Sequence, residues 1–177
     1  MHFFDYEKLE LLQLARKTIE AKLEGTDFNP ETDNKKFLEN RGVFVTLHKN
    51  GELRGCIGYI EPSTSLWEAV KQNALAAAFD DPRFLPLQKD ELKDIKIEIS
   101  VLTVPEKVKL DHIKIGIDGI VLKYGAEKAT YLPQVWKHFK TKEDFLSNLC
   151  LKAGLPEDAW KDPKVEIYSY QSEIFAD

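Results

Sequence analysis

Cysteine is scarce: the 177 residues hold two, Cys56 and Cys150. Two cysteines so far apart are no disulfide framework, and a reducing compartment, the cytoplasm, is the expected setting. Long apolar runs are missing. No 18-residue apolar stretch is available for a membrane-crossing helix, and Met1-His2-Phe3-Phe4-Asp5 turns acidic too soon for a secretion signal. Positive charge is not in excess either. Lys and Arg number 25 against 30 Asp and Glu, a formal net charge of −5. That balance excludes a general binder of nucleic-acid phosphates, while leaving a local basic strip open. The four histidines are dispersed, with no H-E-x-x-H, H-x3-H or C-x-x-C spacing. Neither a G-x-S-x-G elbow nor a Walker motif is present. No metal and no cofactor is expected.

What is there is enough for a sizeable core: 43% of residues are hydrophobic, in one domain or two subdomains. Asp5 is placed to cap a helix over Tyr6 to Glu24, with Leu9, Leu12, Ala15 (or Arg16), Ile19 and Leu23 inward and Gly25 just past its end. Thr26 to Asn40 reads as a surface loop. Ser65-x-x-Glu68 is a capping box opening a helix to about Phe79, whose small residues (Ala69, Ala74, Ala76, Ala77, Ala78) allow close packing on a sheet. If its N-terminus points at the preceding strand, its amides favour an anion there. Ile95 to Leu102 alternates cleanly as a half-buried strand, with Glu98 and Ser100 on its polar side. Asp118-Gly119 and Gly125-Ala126 read as hairpin turns. Pro133 opens a helical turn carrying Gln134, and Thr141 caps a helix with Phe145, Leu149 and Ala153 inward and Cys150 packed beside Leu146, Leu149 and Leu151. Lys164 to Phe175 reads as one last strand. The predicted fold is α+β, a largely antiparallel sheet with flanking helices.

One stretch concentrates chemistry: Leu53-Arg54-Gly55-Cys56-Ile57-Gly58. Gly42 to His48 and Leu53 to Ile60 flank Asn50-Gly51, a strong hairpin signal. Regular alternation puts Arg54, Cys56 and Gly58 on one face and Leu53, Gly55, Ile57 and Tyr59 on the other. Residues two apart are roughly 6.6 Å apart along a strand, so the guanidinium can fold over the sulfur, and a cation beside a thiol favours the reactive thiolate. Gly58 leaves room for a ligand, and Gly55 admits a close backbone or a bulge. The alternative stands beside this: a lone strand cysteine packs as a small hydrophobe, and Arg54 pairs with some carboxylate. Asp81 and Arg83, in the proline-held loop Asp80 to Leu87, either pair with each other or lock the loop to the preceding helix. His48, on the partner strand, is the histidine nearest to Cys56 in sequence.

The hexapeptide L-R-G-C-I-G resembles the signature of the AMMECR domain family. Gly42–Leu47, Ala77–Phe84, Glu98–Leu102, Leu132–Val135 and Lys152–Leu155 resemble it in the same order, through most of the chain. The resemblance implies two closely packed subdomains in a single 1–177 domain, with the signature in a cleft that the loop at Asp81 and Arg83 borders. It also implies an association, in microbes, with Memo-type and radical-SAM proteins; the molecular activity of the family is unsettled. Two functions follow. In the first, Arg54 anchors a cleft, with Gly55, Gly58, Asp81, Arg83, Glu98, Ser100 and Gln134 around it, that binds an anionic small molecule or a macromolecular partner, protein or nucleic acid. In the second, Cys56 is the nucleophile of an enzyme or accessory subunit in a radical-SAM-associated modification pathway, activated by Arg54. The first requires less, since no base is evident beside Cys56. On the second, Cys56 alkylates faster than Cys150, and Arg54→Ala slows it.

Overall fold

The computed structural model describes residues 2–177. In chain order its regular elements are α1 (Asp5–Glu24), α2 (Lys35–Leu38), β1 (Val43–Lys49), β2 (Glu52–Tyr59), α3 (Leu66–Leu75), β3 (Ile95–Leu102), β4 (Glu106–Lys107), β5 (Gly119–Tyr124), β6 (Glu127–Tyr131), α4 (Lys142–Lys152), β7 (Glu166–Tyr170) and β8 (Ser172–Ala176). They fall into two compact units. The first runs to Leu102 and takes back Glu173–Asp177; the second is Thr103–Ser172. Each holds a four-stranded sheet, so the expected α+β architecture with antiparallel pairing is what forms. Among the described residues no helix is long and apolar enough to cross a membrane.

The first sheet has the order β2-β1-β3-β8. Asn50 and Gly51, at φ 54 and 84, close the β1–β2 hairpin in the left-handed conformation that Asn-Gly tolerates best. Val43, Val45 and Leu47 of β1 and Ile95, Ile97, Ile99 and Val101 of β3 point to one side and are buried under Leu11, Ala15 and Ile19 of α1 and Val70 and Ala74 of α3. Each such aliphatic side chain contributes roughly 1.5–3 kcal/mol by leaving water. The inward face of α1 differs from the expected one. Leu11, Leu12, Leu14, Ala15 and Thr18 are buried, whereas Leu9 is 54% exposed. The stripe 11–14–15–18–19 lies against the sheet, and Leu9 falls on its solvent flank. Nor is Asp5 the cap. Phe4 holds that position, and Glu7 reaches back to accept the Phe4 N–H at 2.8 Å.

In α3, Ser65 Oγ accepts the Glu68 N–H at 3.3 Å, one half of the capping box, while the Glu68 carboxylate pairs with Lys71 Nζ at 2.6 Å. The helix then loosens into a π-helical turn over Ala76–Asp80 before Asp81. The loop before β1 adds only α2, tied by Asn34 Oδ1 to the Lys36 N–H, and holds α3 through Pro30 O to Trp67 Nε1 and Asn29 Oδ1 to Lys71 Nζ.

The second sheet has the order β4-β7-β5-β6. Its core gathers Ile120, Leu122 and Ile167 with Trp136, Phe145, Leu149 and Cys150, and Trp136 stacks on Phe145 at 3.6 Å between ring centroids. Leu151, expected in the core beside Cys150, is instead 56% exposed. One turn assignment changes here. Asp118-Gly119 is no hairpin: Asp118 closes the loop behind it, its carboxylate accepting the Lys114 N–H at 2.8 Å, and Gly119 starts β5. The hairpin lies at Gly125-Ala126 alone of the two. The last segment is also two strands, not one. β7 belongs to the second sheet and β8 to the first, and the chain changes sheets at Gln171.

Candidate functional site

A β-bulge shapes the signature strand. Cys56 pairs with Thr46 and Gly55 with Leu47, but the next partners are His48 and Leu53. Arg54 is the extra residue. The bulge inverts the alternation on its N-terminal side, so Leu53 shares a face with Cys56 and is 42% exposed. Arg54 instead turns to the helix-covered side and does not lie over the sulfur. Its Nε and Nη2 bond Glu91 Oε1 and Oε2 at 3.1 and 2.9 Å. Glu91, in the turn before β3, also accepts from Lys49 Nζ at 2.9 Å. The Arg54 hydrogen bonds, aided by Lys49 and the Gln88 N–H, pull the Glu91 carboxyl down to about 2 against the opposing effect of burial. Arg54 Nη1 is buried with no hydrogen-bond partner among the described residues. Arg54 thus pairs with a carboxylate, the plainer of the two readings of its sequence.

Gly55 is required by packing. A β-carbon there would overlap the Ala77 carbonyl oxygen in the π-helical turn. The C-terminal end of α3, not its N-terminus, therefore meets the signature strand. Gly58 leaves no open room either: the Phe44 side chain fills the space where its β-carbon would stand.

Asp81 and Arg83 act together on Cys56. β2 is an edge strand, and the outward N–H of Cys56 donates to Asp81 Oδ2 at 2.9 Å while its carbonyl accepts from Arg83 Nη2 at 3.1 Å. Arg83 also donates to Asp81 from Nε at 2.9 Å, from Nη2 at 2.7 Å and from its backbone N–H at 3.1 Å. The two side chains imitate a neighbouring strand, satisfying the edge that an unpaired strand leaves open. Hydrogen bonding from Arg83, then from the Cys56 N–H, holds the Asp81 carboxyl far below the usual range despite its burial. The same pairing raises Arg83, with the Cys56 thiol adding to it. The cation beside Cys56 is therefore Arg83. Of the two sequence alternatives the first holds, the residues pairing with each other; among the described residues their bonds fix the loop to β2 rather than capping the preceding helix.

Cys56 is half-buried. Its sulfur accepts from Thr46 Oγ1 at 3.3 Å. Glu98 and Ser100 share its face but belong to β3, which pairs with β1 and not with β2. Glu98 stands beyond Thr46 in the same cross-strand row, two strand spacings or roughly 9.6 Å from Cys56. His48 lies on this face too, diagonal to Cys56, and no hydrogen bond joins them among the described residues. Gln134 is an exposed residue of the second unit, on the 3-10 turn Pro133–His138. Among the described residues no three His, Cys, Asp or Glu gather as a metal site. Two surface hollows among the described residues lie elsewhere. One, of about 170 Å³, is lined by His2, Phe3, Lys36, Glu39 and Arg41. The other, of about 600 Å³, is flanked by Tyr124, Leu155 and Asp162 in the second unit.

Sequence reasoning missed Thr46, Glu91, Phe84 and Leu85. The first two follow from the bulge, for which Arg54-Gly55 was the available signal. Two guanidiniums lie against Phe84, with Arg83 Cζ at 5.5 Å and Arg54 Cζ at 5.9 Å from its ring centroid. Leu85 is 83% exposed, in a loop tied by Phe84 N–H to Asp81 O at 3.1 Å and Leu87 N–H to Ala78 O at 2.8 Å.

Known proteins match along nearly all of this architecture. A protein of Nanoarchaeum equitans is 44% identical over 94% of this chain and 98% of its own length, and one of Aquifex aeolicus is 40% identical over 94% and 90%. The crystal structure of an uncharacterized protein from Pyrococcus horikoshii superposes with a TM-score of 0.81 at 38% identity, covering 95% of this chain and 90% of that one. The family model described as AMMECR1 matches residues 12–175, so the likeness first carried by L-R-G-C-I-G extends through both units, and the chain belongs to the AMMECR1 family.

Proposed function

We propose that this chain is a binding module whose docking surface is the loop Pro82–Pro86, carried on the signature strand, and that its partner is a protein. The observation that supports this is Leu85, 83% exposed on a backbone held by two prolines, two hydrogen bonds and the Asp81–Arg83 pair. A large apolar side chain displayed without freedom to turn inward loses little entropy on docking, which is the property of an interface anchor. The charged groups around it are committed to the fold: Arg54 to Glu91, Asp81 to Arg83 and Cys56. An anion docking here meets the solvent edge of Arg83, not Arg54. Peptides selected from a phage-displayed library on the folded chain should lose binding about 30-fold with Leu85→Asp, as for an anchor worth about 2 kcal/mol, with the melting temperature unchanged. Peptides that bind the variant as tightly, or a library that yields no binder, would overturn the reading.

The second reading is a Cys56-dependent enzyme, or an accessory subunit of a radical-SAM-associated pathway. It is favoured by the Thr46 hydroxyl directed at the sulfur and the adjacent Arg83. The bulge changes its test. Iodoacetamide should modify Cys56 faster than Cys150, which is fully buried and whose thiol burial pushes up. Arg83→Gln, rather than Arg54→Ala, should slow it. Peptide-resolved rates between pH 6 and 9, values bracketing the ordinary thiol range of about 8.5, decide this. A Cys56 that stays unmodified in the folded chain is structural.

A further inference from the structure

We propose that Arg54 of the signature is a positioning residue, fixing through Phe84 the pose in which Leu85 is displayed; this rests on the loop being the docking surface. Three observations converge. The bulge removes Arg54 from the Cys56 face and sends it under the loop. There its guanidinium is held flat by the two-point contact with Glu91, which Lys49 Nζ and the Gln88 N–H hold in turn. Both the Arg54 and the Arg83 guanidinium then lie against the Phe84 ring, each paired with a carboxylate, Glu91 or Asp81. Planar guanidiniums stack on ring faces, and a lysine ammonium lacks both the plane and the fork.

The backbone of the loop is tied at Phe84 and Leu87. Leu85 itself is 83% exposed, and no hydrogen bond of its own is found among the described residues. Its direction is therefore inherited from its neighbour, Phe84. Loosening that ring lets the loop rotate about its two prolines without losing a residue that touches the partner. Arg54 acts at one remove: it does not reach the docking surface, being 14% exposed at the side chain.

The test combines amide hydrogen exchange by NMR with a double-mutant cycle. In Arg54→Ala the Phe84 and Leu87 amides should exchange at least about 10-fold faster, while amides of β1 and β3 keep their rates; a merely structural residue would move both sets. Arg54→Lys should give the same local loss, since it keeps charge but not the planar face, and it preserves the ion pair if the alanine variant does not fold. For peptides selected on the wild type, Arg54→Ala and Phe84→Ala should each weaken binding, and the double variant should be no weaker than Phe84→Ala alone. Full rescue by lysine, unchanged Phe84 and Leu87 exchange, or additive losses would each overturn the proposal. If no peptide binds, the docking reading falls, and the exchange measurements alone still decide whether Arg54 positions the loop.

Discussion

Gly55→Ala should lower the melting temperature of the first unit by about 6–12 °C, the shift that a loss of about 3 kcal/mol produces in a chain of this size. The obstacle is main chain, not side chain. The added β-carbon would overlap the carbonyl oxygen of Ala77 and crowd its carbon at 3.1 Å, and Ala77 belongs to a π-helical turn fixed by Leu87 N–H on Ala78 O. No rotamer relieves such a clash, so either β2 shifts on the sheet or the turn lifts, taking Asp81 off Cys56. Gly25→Ala is the control. It has open space around it and only the left-handed φ of 70 to satisfy, a cost of about 1–2 kcal/mol. A Gly55→Ala protein melting within about 2 °C of wild type, well short of the shift expected from overpacking, would show that the turn is not fixed against the strand.

Asp81→Asn should cost about 2–3 kcal/mol at neutral pH. Removing one partner from a buried ion pair commonly costs about 3–5 kcal/mol, but Arg83 is 54% exposed and rehydrates when released, so the cost falls below that range. The change should also reshape the acid limb of stability. A carboxylate whose pKa is lower folded than unfolded gives its full stabilisation above the unfolded value and loses it as pH falls toward the folded one. For Glu91 that window runs from 4.5 down to about 2, and for Asp81 it begins at 3.8 and extends lower still. Urea unfolding followed from neutral pH to the acid end of these windows should show a steep acid loss in the wild type. Glu91→Gln should remove the upper part of that slope, and Asp81→Asn the lower part. Parallel curves for wild type and Asp81→Asn would mean that the carboxylate gains nothing from its partners in the fold.

Much of this was legible in the residues, and the gaps have physical causes. Asn50-Gly51, Ser65-x-x-Glu68, Thr141 and the alternation of Ile95–Val101 report local preferences that the tertiary structure leaves intact. Arg54 misled because strand alternation is a parity rule: one inserted residue inverts it, and Gly55 permitted a bulge without requiring one. Glu91 was unreadable as the partner of Arg54 because nothing local links residues 37 positions apart. Asp118-Gly119 has the composition of a hairpin, yet the Asp118 carboxylate turned back to Lys114 and ended a loop instead. The single strand expected over Lys164–Phe175 failed because period-2 patterning carries no information about which sheet a strand joins.

That last strand bears on how the protein is made. β8 belongs to the first unit, yet it follows the whole of the second in the chain. During synthesis, Thr103–Ser172 emerges complete while the first unit still lacks a sheet strand and the anchors that come with it: Glu173 on the Phe3 N–H, and Asp177 on Arg16 and the Ile97 N–H. The usual vectorial order, N-terminal unit first, is reversed for the final closing step. Until the ribosome delivers β8, the outer edge of β3 is a bare strand edge, and the nascent chain is open to pairing there with a neighbour on the same message.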